Sequence, residues 1–109
     1  MAYDEAVADR IRARIDNHPG FRAKEMFGGI AFLIGGNMAV GVSGSDLMVR
    51  VGPEAHDEAM ARSGARPFDK SHRPARGWIT VVPEGFTTDA DLEAWIERGV
   101  RYAETLPPK

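Results

Sequence analysis

The sequence predicts an α+β fold in which a mainly antiparallel sheet of about five strands is flanked by three helices. Glycine pairs divide an apolar, strand-forming stretch over residues 26–42 into short segments. Apolar residues recur at helical spacing at both ends of the chain, and the short connections between the early strands favour antiparallel pairing. The predicted order is α-β-β-β-β-α-β-α, in one domain over residues 1–109.

The composition is that of a soluble globular protein. Of the residues, 43% are hydrophobic and 28% are charged, and the formal net charge of −2 gives no reason to expect tight, non-specific binding to nucleic acid. The absence of cysteine excludes disulfides, thiolate catalysis and cysteine zinc sites. No apolar stretch approaches the roughly 20 residues that span a bilayer, and the acidic N-terminus is unlike a signal peptide. We therefore expect a cytoplasmic protein without a membrane segment.

Three helices are predicted from apolar periodicity and capping residues. Residues 3–16 carry an apolar side chain at every fourth position, and residues 53–63 begin with a proline and stop at Gly64. Thr88 is a good N-cap for the last helix, in which Trp95 lies on the apolar face. We expect Trp95, and Trp78 on the last strand, to be core or interface anchors rather than parts of a ligand cage.

The strands are predicted over residues 24–27, 30–34, 38–43, 46–51 and 78–82. Glycine accepts positive φ at little cost, so the glycine pairs are interpreted as turn and bulge residues rather than phosphate-binding loops. The residues assigned to these turns are Gly28, Gly29, Gly35, Gly36 and Asn37.

A basic segment stands out against the negative chain. Residues 65–77 are predicted to form a loop with two prolines and a short edge strand near residues 66–68. The candidate contacts to an anion or an acidic partner are Arg66, Lys70, His72, Arg73 and Arg76. Alternatively, these residues belong to a solvated loop with scattered salt bridges to the first and third helices. Aromatic residues hardly interleave with the basic ones, so direct nucleic-acid binding is not expected.

No residue pattern indicates catalysis, a cofactor or a metal. The spacing of His18, His56 and His72 matches no zinc motif, and we expect solvated surface histidines. The paired carboxylates lie in first turns or on outward faces of predicted helices, where the helix dipole and solubility explain them. No Gly-x-Ser-x-Gly elbow is present. We predict a protein that is not an enzyme and has no catalytic, metal-binding or cofactor-binding residues.

Four segments in this order resemble the N-terminal domain of the TfoX/Sxy family, bacterial proteins named for regulators of natural competence. The segments are Lys24-Glu25-Met26-Phe27-Gly28-Gly29, Gly36-Asn37-Met38-Ala39-Val40, Asp46-Leu47-Met48-Val49-Arg50-Val51 and Gly77-Trp78.

The resemblance implies a sheet flanked by helices without enzymatic chemistry. The full-length regulators of this family are co-activators that work with a cyclic-AMP receptor protein and carry a second, helical domain. The sequence ends at Lys109, so we expect a stand-alone member. The function expected is a regulatory protein-interaction module whose partner belongs to the transcription machinery. Two alternatives stay open: a small-molecule or anion-binding domain that uses residues 66–76, and self-association through an exposed sheet face or the last strand.

Overall fold

A six-stranded antiparallel sheet covered on one side by three helices forms the protein, as a computed structural model of residues 3–26, 28–70 and 73–108 describes it. The α+β prediction is confirmed. The elements in chain order are α1 (Glu5–Ile15), β1 (Phe21–Met26), β2 (Gly29–Ile34), β3 (Asn37–Ser43), β4 (Asp46–Arg50), α2 (His56–Met60), β5 (Ala65–Lys70), β6 (Arg73–Val81) and α3 (Asp89–Glu104). A single 3₁₀ turn, Pro83–Gly85, precedes α3.

The strands lie in the order β1-β2-β3-β4-β6-β5. The first four form a meander of hairpins, and β6 then pairs antiparallel with β4. The sheet has six strands, slightly more than the predicted count of about five, because β5 extends it at the edge beyond β6.

The prediction over residues 65–77 is correct for the edge strand near residues 66–68, which is part of β5, and wrong for the rest of the loop. These residues form most of a β-hairpin, in which β5 pairs with β6 and β6 begins at Arg73 rather than at Trp78. Pro67 is compatible with β5 because an edge strand does not need every N–H for the ladder. The unpredicted start of β6 joins the sheet by pairing with β5, at Lys70↔Arg73 and Asp69↔Pro74, whereas pairing with β4 begins at Trp78, where a strand is predicted.

Side-chain caps begin the two long helices. Asp4 accepts hydrogen bonds from the backbone N–H groups of Ala6 and Val7, and Thr88 accepts one from Asp91 at 3.1 Å, as expected for an N-cap. The middle helix, α2, is shorter than predicted and begins at His56, since Pro53 lies in the turn that precedes it.

The core lies between the sheet and the helices. Alternate residues of the strands face the helices, among them Phe32 on β2 and Val40 on β3, and both are fully buried. They pack with Ile11 of α1 and Leu92 of α3 in one continuous cluster, to which Ala59 of α2 also belongs. All three helices therefore cover the same face of the sheet.

The turn between β2 and β3 contains Gly35 and Gly36, with φ of 61° and 85°. Asn37 follows it and is buried, and its side-chain amide donates a hydrogen bond to the carbonyl of Pro107 at 2.9 Å. At the other glycine pair, Gly28 has φ of 75°, and a Cβ on Gly29 would collide with the carbonyl oxygen of Val42. Because Asn37 is bonded to Pro107, the segment after α3 is held against the turn between β2 and β3.

Candidate functional site

None of the helices in the described part of the chain lies on the opposite face of the sheet, which is here called the open face. Its residues follow from the strand register, because neighbours across the ladder point to the same side: Ala31 pairs with Gly41, Gly41 with Met48, Met48 with Thr80 and Thr80 with Arg66. The open face includes Arg22, Lys24, Ala31, Leu33, Met38, Gly41, Ser43, Asp46, Met48, Arg50, Arg66, Phe68, Trp78 and Thr80.

The centre of the open face is apolar. Leu33 pairs with Met38, and both side chains are half-buried, as is that of Met48. A Cβ built on Gly41 would lie 2.7 Å from Met38 Cε and 2.9 Å from Met48 Cε, so the two thioether chains converge over this glycine. Methionine side chains are flexible and polarisable, and such surfaces adapt to the apolar groups that they contact.

An aromatic pair borders the apolar centre. The rings of Phe68 and Trp78 are 5.7 Å apart, and the guanidinium carbon of Arg50 lies 5.1 Å from the centroid of the Trp78 ring. The same guanidinium lies 5.4 Å from the centroid of Tyr102 on α3. Arg50 is therefore positioned by two aromatic rings at the end of the open face.

Basic residues lie on both sides of the apolar centre. Arg22 and Lys24 are exposed on β1, and Arg66 is exposed on β5. Arg66 donates a hydrogen bond to the carbonyl of Ala65 at 3.0 Å. Within the described parts of the chain, no carboxylate forms a salt bridge with any of these three residues or with Arg50. Asp46, at the start of β4, is an acidic residue on this face, and it lines a shallow cleft together with Met48 and Arg66.

Of the five basic residues predicted as an anion site, the structure describes the side chains of two, Arg66 and Arg76, and these two do not converge. Arg66 belongs to the open face, whereas Arg76 reaches the helix side, where its guanidinium lies 3.3 Å from the carboxylate of Asp57 on α2. Lys70 and Arg73 pair in the backbone register at the end of the hairpin, and His72 lies outside the described residues. The salt bridge of Arg76 is therefore to α2, whereas salt bridges to the first and third helices were expected. This arrangement does not favour an anion site over residues 66–76.

The two described histidines are not the solvated side chains that the sequence suggested. His56 Nδ1 accepts a hydrogen bond from the backbone N–H of Gly77 at 2.9 Å and so joins α2 to β6. His18 lies between two acceptors, with Nδ1 2.7 Å from the carbonyl of Pro19 and Nε2 2.7 Å from the carboxylate of Glu104. The hydrogen bond to Glu104, and then that to Pro19, raise the pKa of His18.

A cleft of about 620 Å³ lies on the helix side, between the turn after β4 and the C-terminal half of α3. Gly52 and Tyr102 form its floor, and Arg98 and Arg101 lie along its α3 side. Both arginines are already paired: Arg98 lies 2.8 Å from Glu58, and Arg101 pairs with Glu97. Hydrogen bonds from Arg98 and Arg62 lower the pKa of Glu58. The Arg98–Glu58 pair connects α3 to α2, whereas the Arg101–Glu97 pair lies within α3.

Neither a metal-binding group nor a membrane helix is found in the described ranges. There, no three histidine or carboxylate side chains are placed to hold a metal ion together. No helix among these residues has the length and apolar character needed to cross a membrane.

The fold and the open face describe a small α+β domain with one uncovered sheet surface. Residues 14–103 match the TfoX N-terminal domain family, and the chain belongs to this family, which confirms the resemblance noted in the sequence. A comparison with curated proteins gives no match.

Proposed function

We propose that this protein is a non-enzymatic regulatory module that binds another protein through the open face. The observation that carries the proposal is the apolar strip of Leu33, Met38 and Met48, which no helix of the described chain covers. Neighbouring half-buried apolar side chains on an uncovered sheet are typical of a protein-interaction surface.

The chemistry of the open face supports binding rather than bond-making. Apart from the hydroxyls of Thr80 and Ser43 and the carboxylate of Asp46, its functional groups are thioethers, aromatic rings, guanidinium groups and the ammonium group of Lys24, which pack and pair with other groups. The Thr80 hydroxyl lies on this face, whereas the bases His18 and His56 are engaged on the helix side. A hydroxyl nucleophile needs a base within hydrogen-bond reach, and neither of these histidines supplies it.

The regulatory role is inferred from the family. The TfoX/Sxy regulators act as co-activators at promoters, so we propose a partner from the transcription machinery and a cytoplasmic site of action. Binding to this partner would need no direct contact with DNA. The net charge of −2 agrees with this proposal, because it gives no general attraction to a polyanion.

Site-specific photo-crosslinking tests the proposal. A photo-reactive phenylalanine analogue replaces Met48 on the open face or, as the matched control, Glu97 on the exposed side of α3, and each variant is expressed in the native host. We expect a defined protein adduct from position 48 and none from position 97. The identified protein is then purified, and its binding to the wild type and to Met48→Glu is measured. Adducts only from position 97, or no protein adduct from either position, would contradict the proposal.

A further inference from the structure

We infer that the open face binds an acidic amphipathic helix of its protein partner. The inference rests on the proposed function and adds the chemistry of the partner segment. Three properties of the surface carry it: the apolar strip along the middle strands, the basic residues on both sides of this strip, and the dimensions of the sheet.

The dimensions fit one helix lying along β3. The seven residues of β3 give a strand of about 23 Å, which equals the length of a helix of about 15 residues. Strands lie about 4.8 Å apart, so β1 and β5 lie about 24 Å from each other, and a helix 10–12 Å across leaves both outer strands within reach of its flanking side chains.

The charge distribution decides which helix fits. Arg22 and Lys24 lie on β1 on one side of the strip, Arg66 lies on β5 on the other side, and Arg50 lies at the end of the face, together with the carboxylate of Asp46. A helix with leucine-like residues on its lower face and carboxylates on both flanks would meet apolar groups in the middle and cations at each side. The thioethers over Gly41 adapt to the shape of the buried side chains.

The same charges argue against two other occupants. A second copy bound face to face would bring four basic residues against the same four, with few carboxylates between them. Single-stranded nucleic acid needs aromatic rings at the centre of the surface, but the centre here is aliphatic and thioether, and the Trp78 ring is already covered by Arg50.

Fluorescence anisotropy with three labelled synthetic peptides tests the inference. The first is a 15-residue helix, a length set by the strand, with leucine at positions i, i+3, i+4 and i+7 and glutamate on both flanks. The second has lysine in place of glutamate, and the third has serine in place of leucine. A single-stranded oligonucleotide is the fourth probe, and sedimentation reports whether the protein self-associates.

We expect the glutamate peptide to bind at least about tenfold more tightly than the lysine and serine peptides and the oligonucleotide. Added salt should weaken its binding. Lys24→Glu and Met48→Glu should each weaken it about tenfold or more, whereas Arg101→Glu, on the exposed side of α3, should leave it unchanged. Circular dichroism confirms that each variant is folded.

Equal binding of the lysine peptide, preference for the oligonucleotide, or self-association that is abolished by Met48→Glu would overturn the inference.

The two proposals fail in distinguishable ways. If crosslinking at position 48 captures a partner whose contact segment is basic or extended, the acidic helix is wrong and the interaction module stands. If the peptide binds but the host supplies no protein adduct, the proposed function is wrong.

Discussion

His18 joins the end of α1 to the end of α3. Its two ring nitrogens face oxygen acceptors, so the doubly protonated imidazolium makes both hydrogen bonds whereas a neutral ring makes only one of them well. The pair with Glu104 thus favours the charged form in the folded state, and the pKa of His18 is raised by folding.

This raised pKa makes the stability of the protein depend on pH. The contribution of His18 is fully present below its unfolded pKa of about 6.5 and is lost as the pH rises through the higher folded value. Urea unfolding at several pH values measures the difference in the free energy of unfolding between the wild type and His18→Gln. We expect this difference to be largest at low pH and to shrink above neutrality. A difference that is constant from acidic to alkaline pH would contradict this assignment.

Gly36 has φ of 85° in the turn before β3, a conformation that β-branched residues rarely adopt. We expect Gly36→Val to lower the free energy of unfolding by about 1–3 kcal/mol. Asparagine tolerates positive φ, so Gly36→Asn is the matched control and should cost less. Thermal unfolding measures both, and equal melting temperatures for the two variants would show that backbone conformation at Gly36 is unimportant.

The helix α3 closes the core. Gly99 lies against β3, where a Cβ would collide with the carbonyl oxygen of Ala39, and the indole N–H of Trp95 donates a hydrogen bond to the carbonyl of Gly85 at 3.1 Å. Only 4% of Trp95 is exposed, so the sequence-based expectation of a packing anchor is confirmed for this residue.

Truncation of the Trp95 side chain should therefore strongly destabilise the folded protein. We expect Trp95→Ala to lower the free energy of unfolding by about 3–5 kcal/mol, because a large ring leaves the core. Trp95→Phe keeps most of the apolar contact but loses the hydrogen bond, so it should cost clearly less. Chemical denaturation gives both values. A Trp95→Ala variant as stable as the wild type would mean that the packing of α3 does not depend on this ring.

The elements that the sequence predicted are those with local signals. Thr88 marks the start of α3, and the alternation of Leu47 and Val49 with Met48 and Arg50 marks β4. The β5–β6 hairpin is predicted only near residues 66–68 and over residues 78–82, because Pro67 and Gly77 resemble loop residues and because Arg73 and Pro74 join the sheet only by pairing with β5.

The open face could be predicted only in part. Alternation along β4 indicated one buried side, but it could not show that all three helices lie on that side. The basic residues were grouped by their proximity in sequence, whereas Arg66 and Arg76 lie on different sides of the fold, and Arg22 and Lys24 join Arg66 only through the sheet.

One main core joins all three helices to the sheet, so the chain should unfold as a single cooperative unit. In Trp78→Phe, Trp95 is the one remaining tryptophan of the sequence and reports on the core. We expect its fluorescence and the far-ultraviolet circular dichroism to change over the same denaturant range. Separate transitions would mean that part of the sheet unfolds independently of α3.

The alternation along β4 also has an evolutionary consequence. Leu47 and Val49 are fully buried against the helices, while Met48 and Arg50 lie on the open face of the same five-residue strand. Under the proposed function, selection for folding and selection for partner choice would act on separate, interleaved positions. Substitutions at the second set would then change what the surface recognises without disturbing the core, so this scaffold could diverge in partner while its fold is retained.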